Sequence, residues 1–121
     1  MKEVPRAVGG RVRVITDYCS AYPEPLEVRA GEVVLVGQRD SEWPAFLWCA
    51  AADGRGGWVP EGILVREGEQ AVVREDYSAR ELTVTAGATV MVVRREGGWA
   101  WVLNEAGDTG WVPERHLDLS G

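Results

Sequence analysis

The string Gly-Trp-Val-Pro-Glu occupies residues 57–61 and again 110–114, 53 positions apart in a chain of 121. Five consecutive identities that include a tryptophan and a proline point to an internal repeat, and such a period sets the architecture before any local propensity is weighed. Each half is then about 60 residues, a size at which only about 60% of the unfolded surface is buried, so large side chains must do much of the packing. Six tryptophans fit that need, each able to remove roughly 150–250 Å² from water.

The same plan can be traced outward from both anchors. In the first repeat Arg11–Ile15 alternates polar and apolar residues, as a half-buried strand does. Pro23-Glu24-Pro25 marks an irregular excursion, after which Leu26 and Val28 turn inward. Glu32–Gly37 and Phe46–Ala51 read as buried strands, separated by a polar break that leads to Trp43. Asp53–Gly57 is a tight turn, because glycine adopts the positive φ that hairpins require. Trp58-Val59 follows as a short strand ended by Pro60, which lacks a ladder donor; Glu61–Ile63 is one helical turn and Leu64–Arg66 a last strand.

The second repeat places strands at Ala71–Val73, Val90–Arg94, Trp99–Leu103 and Trp111–Pro113, with the hairpin turn at Glu105–Thr109. Tyr18 and Tyr77 are 59 apart, Trp43 and Trp99 56, and Trp58 and Trp111 53, so the first repeat carries three extra residues before Gly31 and three more after Trp43. Helical periodicity is absent over any useful length. The expected fold is all-β, two small five-stranded barrels over 11–67 and 70–119, preceded by a lead-in arm at 1–10 and joined by the very short linker Glu67-Gly68-Glu69.

The net charge is -6, from 13 basic and 19 acidic residues, and both halves are acidic, with 8 against 10 over 1–67 and 5 against 9 over 68–121. That balance speaks against nonspecific binding to nucleic acid or anionic membrane, and the basic trio Arg6, Arg11 and Arg13 reads as solvated surface. Cys19 and Cys49 lack zinc-binding spacing and fall at non-equivalent places in the repeats, which suits a reduced pair in a cytoplasmic protein. No stretch approaches the roughly 20 apolar residues that span a bilayer.

In this order the motifs resemble the SH3 (Src homology 3) domain, in a bacterial-type variant form and present twice. The opening strings are Val14-Ile15-Thr16-Asp17-Tyr18 and Val73-Arg74-Glu75-Asp76-Tyr77. Leu26-Glu27-Val28-Arg29-Ala30-Gly31-Glu32 and Leu82-Thr83-Val84-Thr85-Ala86-Gly87-Ala88 continue it, Trp43 and Trp99 come next, and Gly-Trp-Val-Pro closes each copy. The resemblance implies an aromatic groove for left-handed proline-rich peptides, a preformed helix that loses little entropy on binding. It would use Tyr18, Trp43, Trp58 and Pro60 in the first domain and Tyr77, Trp99, Trp111 and Pro113 in the second. At the acidic ligand-pairing position Pro25 stands in the first domain, beside Glu24 as the candidate carboxylate, while Glu81 is retained in the second. The sequence departs from the family at Thr16 and Glu75, where the opening tyrosine is expected, and at Ile63 and His116, where a closing tyrosine is expected.

No nucleophile and base recur between the repeats, one histidine cannot serve two domains, and no metal or cofactor motif is present, so catalysis is not expected. The leading expectation is a noncatalytic adaptor that binds a protein or peptide partner, proline-rich or basic, through aromatic surfaces. A compact two-barrel scaffold or inhibitor acting through a composite surface is the alternative, and binding of cell-wall peptide ranks below it. Trp48 and Trp101 have no counterpart among ligand residues and are expected to pack.

Overall fold

The computed structural model describes residues 10–120; apart from Gly10, the expected lead-in arm lies outside them. The chain is all β. In order it forms β1 (Gly10–Arg13), β2 (Glu27–Val28), β3 (Val33–Arg39), β4 (Phe46–Ala50), β5 (Gly56–Pro60), a 3-10 turn at Glu61–Ile63 and β6 (Leu64–Glu67). The second repeat continues with β7 (Gln70–Val73), β8 (Tyr77–Ser78), β9 (Thr89–Glu96), β10 (Trp99–Asn104), β11 (Thr109–Pro113) and a 3-10 turn at Glu114–His116.

The strands gather into two compact units, and the division does not follow the repeats. One unit is Tyr22–Arg80; the other joins the chain up to Ala21 with the chain from Glu81 onward. The expected domains, 11–67 and 70–119, are therefore repeats of sequence, whereas the compact units each draw on both.

In the Tyr22–Arg80 unit one sheet runs in the order β5-β4-β3-β7-β6, and β2 pairs with β8. β6 and β7 form an antiparallel hairpin from Leu64↔Val73 to Glu67↔Gln70, closed by Gly68-Glu69 with Gly68 at φ 64. The segment expected to link two domains is thus a hairpin loop. Its physical reason is local: a two-residue loop with glycine at its first position matches strand twist, and so short a connection brings the next strand beside the last at little loop entropy. β7 then continues onto β3 through Val33↔Val72 and Val34↔Ala71, with Val34 and Ala71 facing the core.

In the other unit the sheet order is β1-β9-β10-β11. β1 pairs with β9 through Val12↔Val90 and Arg13↔Thr89, and Val14 bridges Leu117, which stands where β6 stands in the first unit. The core contains Val14, Leu82, Val84, Val90, Val102 and Val112. The opening strand of each repeat has therefore been exchanged: β1 completes the sheet of the second repeat, and β7 completes that of the first. Exchange of identical elements is inexpensive because the pairing is the same in kind, and short hinges favour it.

The repeated string is explained residue by residue. A Cβ on Gly57 would stand 2.6 Å from the Cβ of Ala79, and one on Gly110 would stand 2.7 Å from the backbone nitrogen of Leu82, so both positions require glycine for close approach. β5 and β11 begin at Gly56 and Thr109, inside the segments expected to be turns. Val59 and Val112 are fully buried. Pro60 and Pro113 end their strands and lead into the 3-10 turns. Glu61 accepts from Arg39 at 2.9 and 3.1 Å, and Glu114 from Arg95 at 2.8 and 3.3 Å. The Arg39 hydrogen bond holds the Glu61 carboxyl below its ordinary range; the pair is exposed and contributes little to stability.

Candidate peptide-binding groove

Alternation along β10 and β11 decides which side chains face out. Ala100↔Val112 and Val102↔Gly110 lie on the core face, so Trp99↔Pro113 and Trp101↔Trp111 share the opposite face. Tyr18, carried by the exchanged segment of the first repeat, is held beside them by paired backbone hydrogen bonds with Val84 at 2.8 and 2.9 Å. Its ring meets Trp99 edge-on at 5.8 Å and His116 edge-on at 5.2 Å, separations at which aromatic pairs attract.

The Tyr18 hydroxyl donates to Glu81 Oε1 at 2.7 Å, and the same oxygen accepts from the Ala21 backbone N–H at 3.1 Å. His116 Nδ1 lies 3.2 Å from the Thr16 carbonyl. Tyr18, Glu81, Trp99 and His116 are all half-buried, leaving part of each ring or carboxylate open to solvent. Together they make an aromatic and acidic surface on one unit. Trp111 and Pro113, expected in this groove, are buried, with Trp111 only 5% exposed and packed edge-on against Trp101 at 5.3 Å.

The expected division of groove residues needs correction. Tyr18 does not join Trp43, Trp58 and Pro60 but stands against Trp99 and His116; Tyr77 does not join Trp99, Trp111 and Pro113 but donates its hydroxyl to the Trp58 carbonyl at 2.8 Å. The strand exchange is the reason, since each tyrosine travels with its exchanged segment. It also brings the departures from the family together in pairs. Thr16 meets His116 through their hydrogen bond, and Arg74, next to Glu75, donates its backbone N–H to the Ile63 carbonyl at 2.7 Å.

The corresponding region of the Tyr22–Arg80 unit is different. Tyr77, Pro60 and Ile63 are buried. Trp43, expected in the groove as the counterpart of Trp99, lies in the turn before β4, where its carbonyl accepts from the Phe46 N–H at 3.0 Å. The three extra residues after Trp43 give Phe46 the place opposite Pro60 that Trp99 holds opposite Pro113. Glu24 is exposed, and with Pro25 rather than a carboxylate at the position of Glu81, the phenol of Tyr77 turns to a backbone acceptor instead.

Trp58 joins a separate outer cluster. Trp48 meets it edge-on at 5.1 Å, Tyr22 lies 5.7 Å from Trp48, and Trp58 Nε1 donates to the Tyr22 hydroxyl at 3.4 Å. Trp48 packs against its own sheet, since a Cβ on Gly56 would stand 2.4 Å from its ring. Tyr22 and His116 were the members that sequence reasoning passed over. The available signal for His116 was its placement at the family's closing tyrosine.

The two cysteines are free, Cys19 exposed and Cys49 buried. Burial pushes the Cys49 thiol up to about 11, with Arg66 opposing the shift, so it is an inert core residue. Among the described residues no helix is long and apolar enough to cross a membrane.

Small all-β units with an aromatic groove beside an acidic loop residue define a class of peptide-recognition barrel. The family model for the variant SH3 domain matches residues 11–66 and 71–119, and the chain belongs to that family. It is 28% identical to mouse SH3 and PX domain-containing protein 2B over 86% of its own length, and 33% identical to zebrafish SH3 and PX domain-containing protein 2A over 89%. Mouse intersectin-2 is 26% identical over 94%. The chain spans 13%, 10% and 8% of these relatives respectively. SH3 domains are noncatalytic protein-interaction modules, and this chain carries two copies of that module's sequence.

Proposed function

We propose that the groove of Tyr18, Trp99, His116 and Glu81 binds a peptide segment of a partner protein, one that places an Arg or Lys beside apolar residues. The observation that carries this reading is the half-exposed Tyr18–Trp99–His116 cluster standing next to a carboxylate. Flat rings accept prolines or aliphatic stems, while Glu81 and the net charge of -6 favour a cationic head. The Tyr22–Arg80 unit does not offer an equal second groove, since Tyr77, Pro60 and Ile63 are buried in it.

The test is calorimetric titration with a short capped peptide containing alternating Ala-Pro and a single Arg. Trp99→Ala should weaken binding by about thirtyfold, the usual cost of truncating a central aromatic anchor. Trp43→Ala should leave affinity within about twofold. Equal losses from the two variants, or no loss from Trp99→Ala in a folded protein, would remove this groove from consideration.

A further inference from the structure

We infer that the outer face of the β6-β7-β3 sheet is the contact surface of a weak two-fold dimer, its occupant a second copy of this chain. Side chains alternate along a strand, so residues paired across these strands share one face. Val65↔Val72 and Val33↔Val72 set three valines side by side, and Leu35, two residues on from Val33, extends the row. These four side chains are between 42% and 57% exposed, while Leu64, Val34, Ala71 and Val73, which alternate with them, fill the core. Together they form a contiguous apolar patch of roughly a few hundred Å², a size that marks contact sites on small proteins.

The other repeat shows that the fold does not require such a face. Arg13↔Thr89 answers to Val72↔Val33, so Arg13 stands where Val72 stands and Thr89 where Val33 stands. Asp118 stands beside Arg13 as Val65 stands beside Val72, its N–H donating to the Arg13 carbonyl at 2.9 Å. Met91, at the place of Leu35, is half-buried. The same strand positions thus carry Arg, Thr and Asp in one unit and three exposed valines in the other, where water is the less favourable neighbour.

The two ends of the patch differ in charge. Glu67 and Gln70 lie level with Leu35 at one end. Arg74, two residues past Val72 on the same face, lies at the other; it is exposed, and its Nη1 donates to the Gly62 carbonyl at 3.3 Å. Glu32 and Glu75 fall in the opposite phase of the alternation. A two-fold contact matches a surface to itself. An axis lying across the strands turns the ends over and sets Glu67 of each copy near Arg74 of the other, with Val72 packed on Val72; an axis along the strands would set Glu67 against Glu67. Only the first arrangement is complementary in charge. A standard interface covers about 800 Å² per partner; the patch supplies its centre, and the same face continues through Ala50 to the half-buried Trp48 and Trp58. The net charge of -6 on each copy opposes association and keeps the dimer weak.

Sedimentation equilibrium of the full chain from about 10 µM to about 1 mM should show the average mass rising from one copy toward two. Methyl spectra over the same range should shift at Val33, Leu35, Val65 and Val72 and stay fixed at Val93, an exposed valine of the other unit. Val72→Arg introduces the residue that the other repeat already holds at this place, and should weaken dimerisation at least about tenfold. Glu67→Arg and Arg74→Glu should each weaken it about fivefold, and the two changes together should return it to within about twofold of the unaltered chain. A single species at every concentration, shifts confined to other methyls, or a folded Val72→Arg that dimerises as before would overturn the inference. A double charge reversal as weak as the single ones would overturn the axis across the strands. Overhauser contacts to these methyls from residues 2–9 of the same chain would give the face to that segment and overturn the dimer, as would saturation of the face by a different protein while the chain alone stays monomeric.

Discussion

Tyr18 and Tyr77 hold equivalent places in the two repeats, yet their settings differ. Tyr18 is half-buried with its hydroxyl on the Glu81 side chain, between Trp99 and His116; Tyr77 is buried at 8% exposure with its hydroxyl on the Trp58 carbonyl. Around Tyr18 the neighbours are aromatic and acidic. Around the equivalent groove, Ile63 is buried and Trp43 has moved off the strand into a turn. In one unit Tyr18 and His116 are half-exposed, and in the other Tyr77 and Ile63 are buried in packing. The difference traces to a few residues: Glu81 against Pro25, His116 against Ile63, and three residues inserted after Trp43.

The largest expected difference in stability lies at the paired glycines. In Gly110→Ala the new methyl meets backbone, Leu82 N at 2.7 Å and Glu81 C at 2.9 Å, which cannot step aside. In Gly57→Ala the obstacles are the Cβ atoms of Ala79 and Leu26, at 2.6 and 3.1 Å. Denaturant unfolding should show Gly110→Ala losing about 3 kcal/mol and Gly57→Ala about 1–2 kcal/mol. Because Glu81 sits at the obstruction, Gly110→Ala should also disturb binding, and equal costs at the two glycines would break the asymmetry between the units.

A smaller effect separates the tyrosines themselves. Tyr77→Phe removes the part-buried hydrogen bond from a buried ring to the Trp58 carbonyl and should cost about 1 kcal/mol of stability. Tyr18→Phe leaves a half-exposed carboxylate that water can reach, so its cost should be less than about half of that. Thermal unfolding of the two variants side by side measures the contrast, and a larger loss from Tyr18→Phe would reverse it.

The fold class was legible because each residue of the repeated string is fixed by a different constraint: close approach for glycine, the outer face for tryptophan, the core for valine, the strand end for proline, an arginine partner for glutamate. The exchange was not legible. Alternation along Arg11–Ile15 and Ala71–Val73 specifies which face of a strand is buried but not which strand lies beside it, and the two copies fit either neighbour. Gly68-Glu69 did carry a signal, a glycine-led two-residue loop between alternating apolar segments, although its position at the repeat boundary made it read as a tether. The aromatic and acidic residues were assigned to companions within their own repeats, and which of them stand together depended on the exchange. Trp43 misled for a different reason: its motif position matches Trp99, while the inserted residues shift the strand so that Phe46 takes the structural place.

The exchanged groove is tested most directly by nuclear Overhauser effects between aromatic rings in the monomeric protein. Tyr18 ring protons should show cross-peaks to the rings of both Trp99 and His116, whose centroids lie 5.8 and 5.2 Å away. Cross-peaks from Tyr77 to Trp99 and His116, with none from Tyr18, would mean that each repeat keeps its own opening strand and would contradict the exchange.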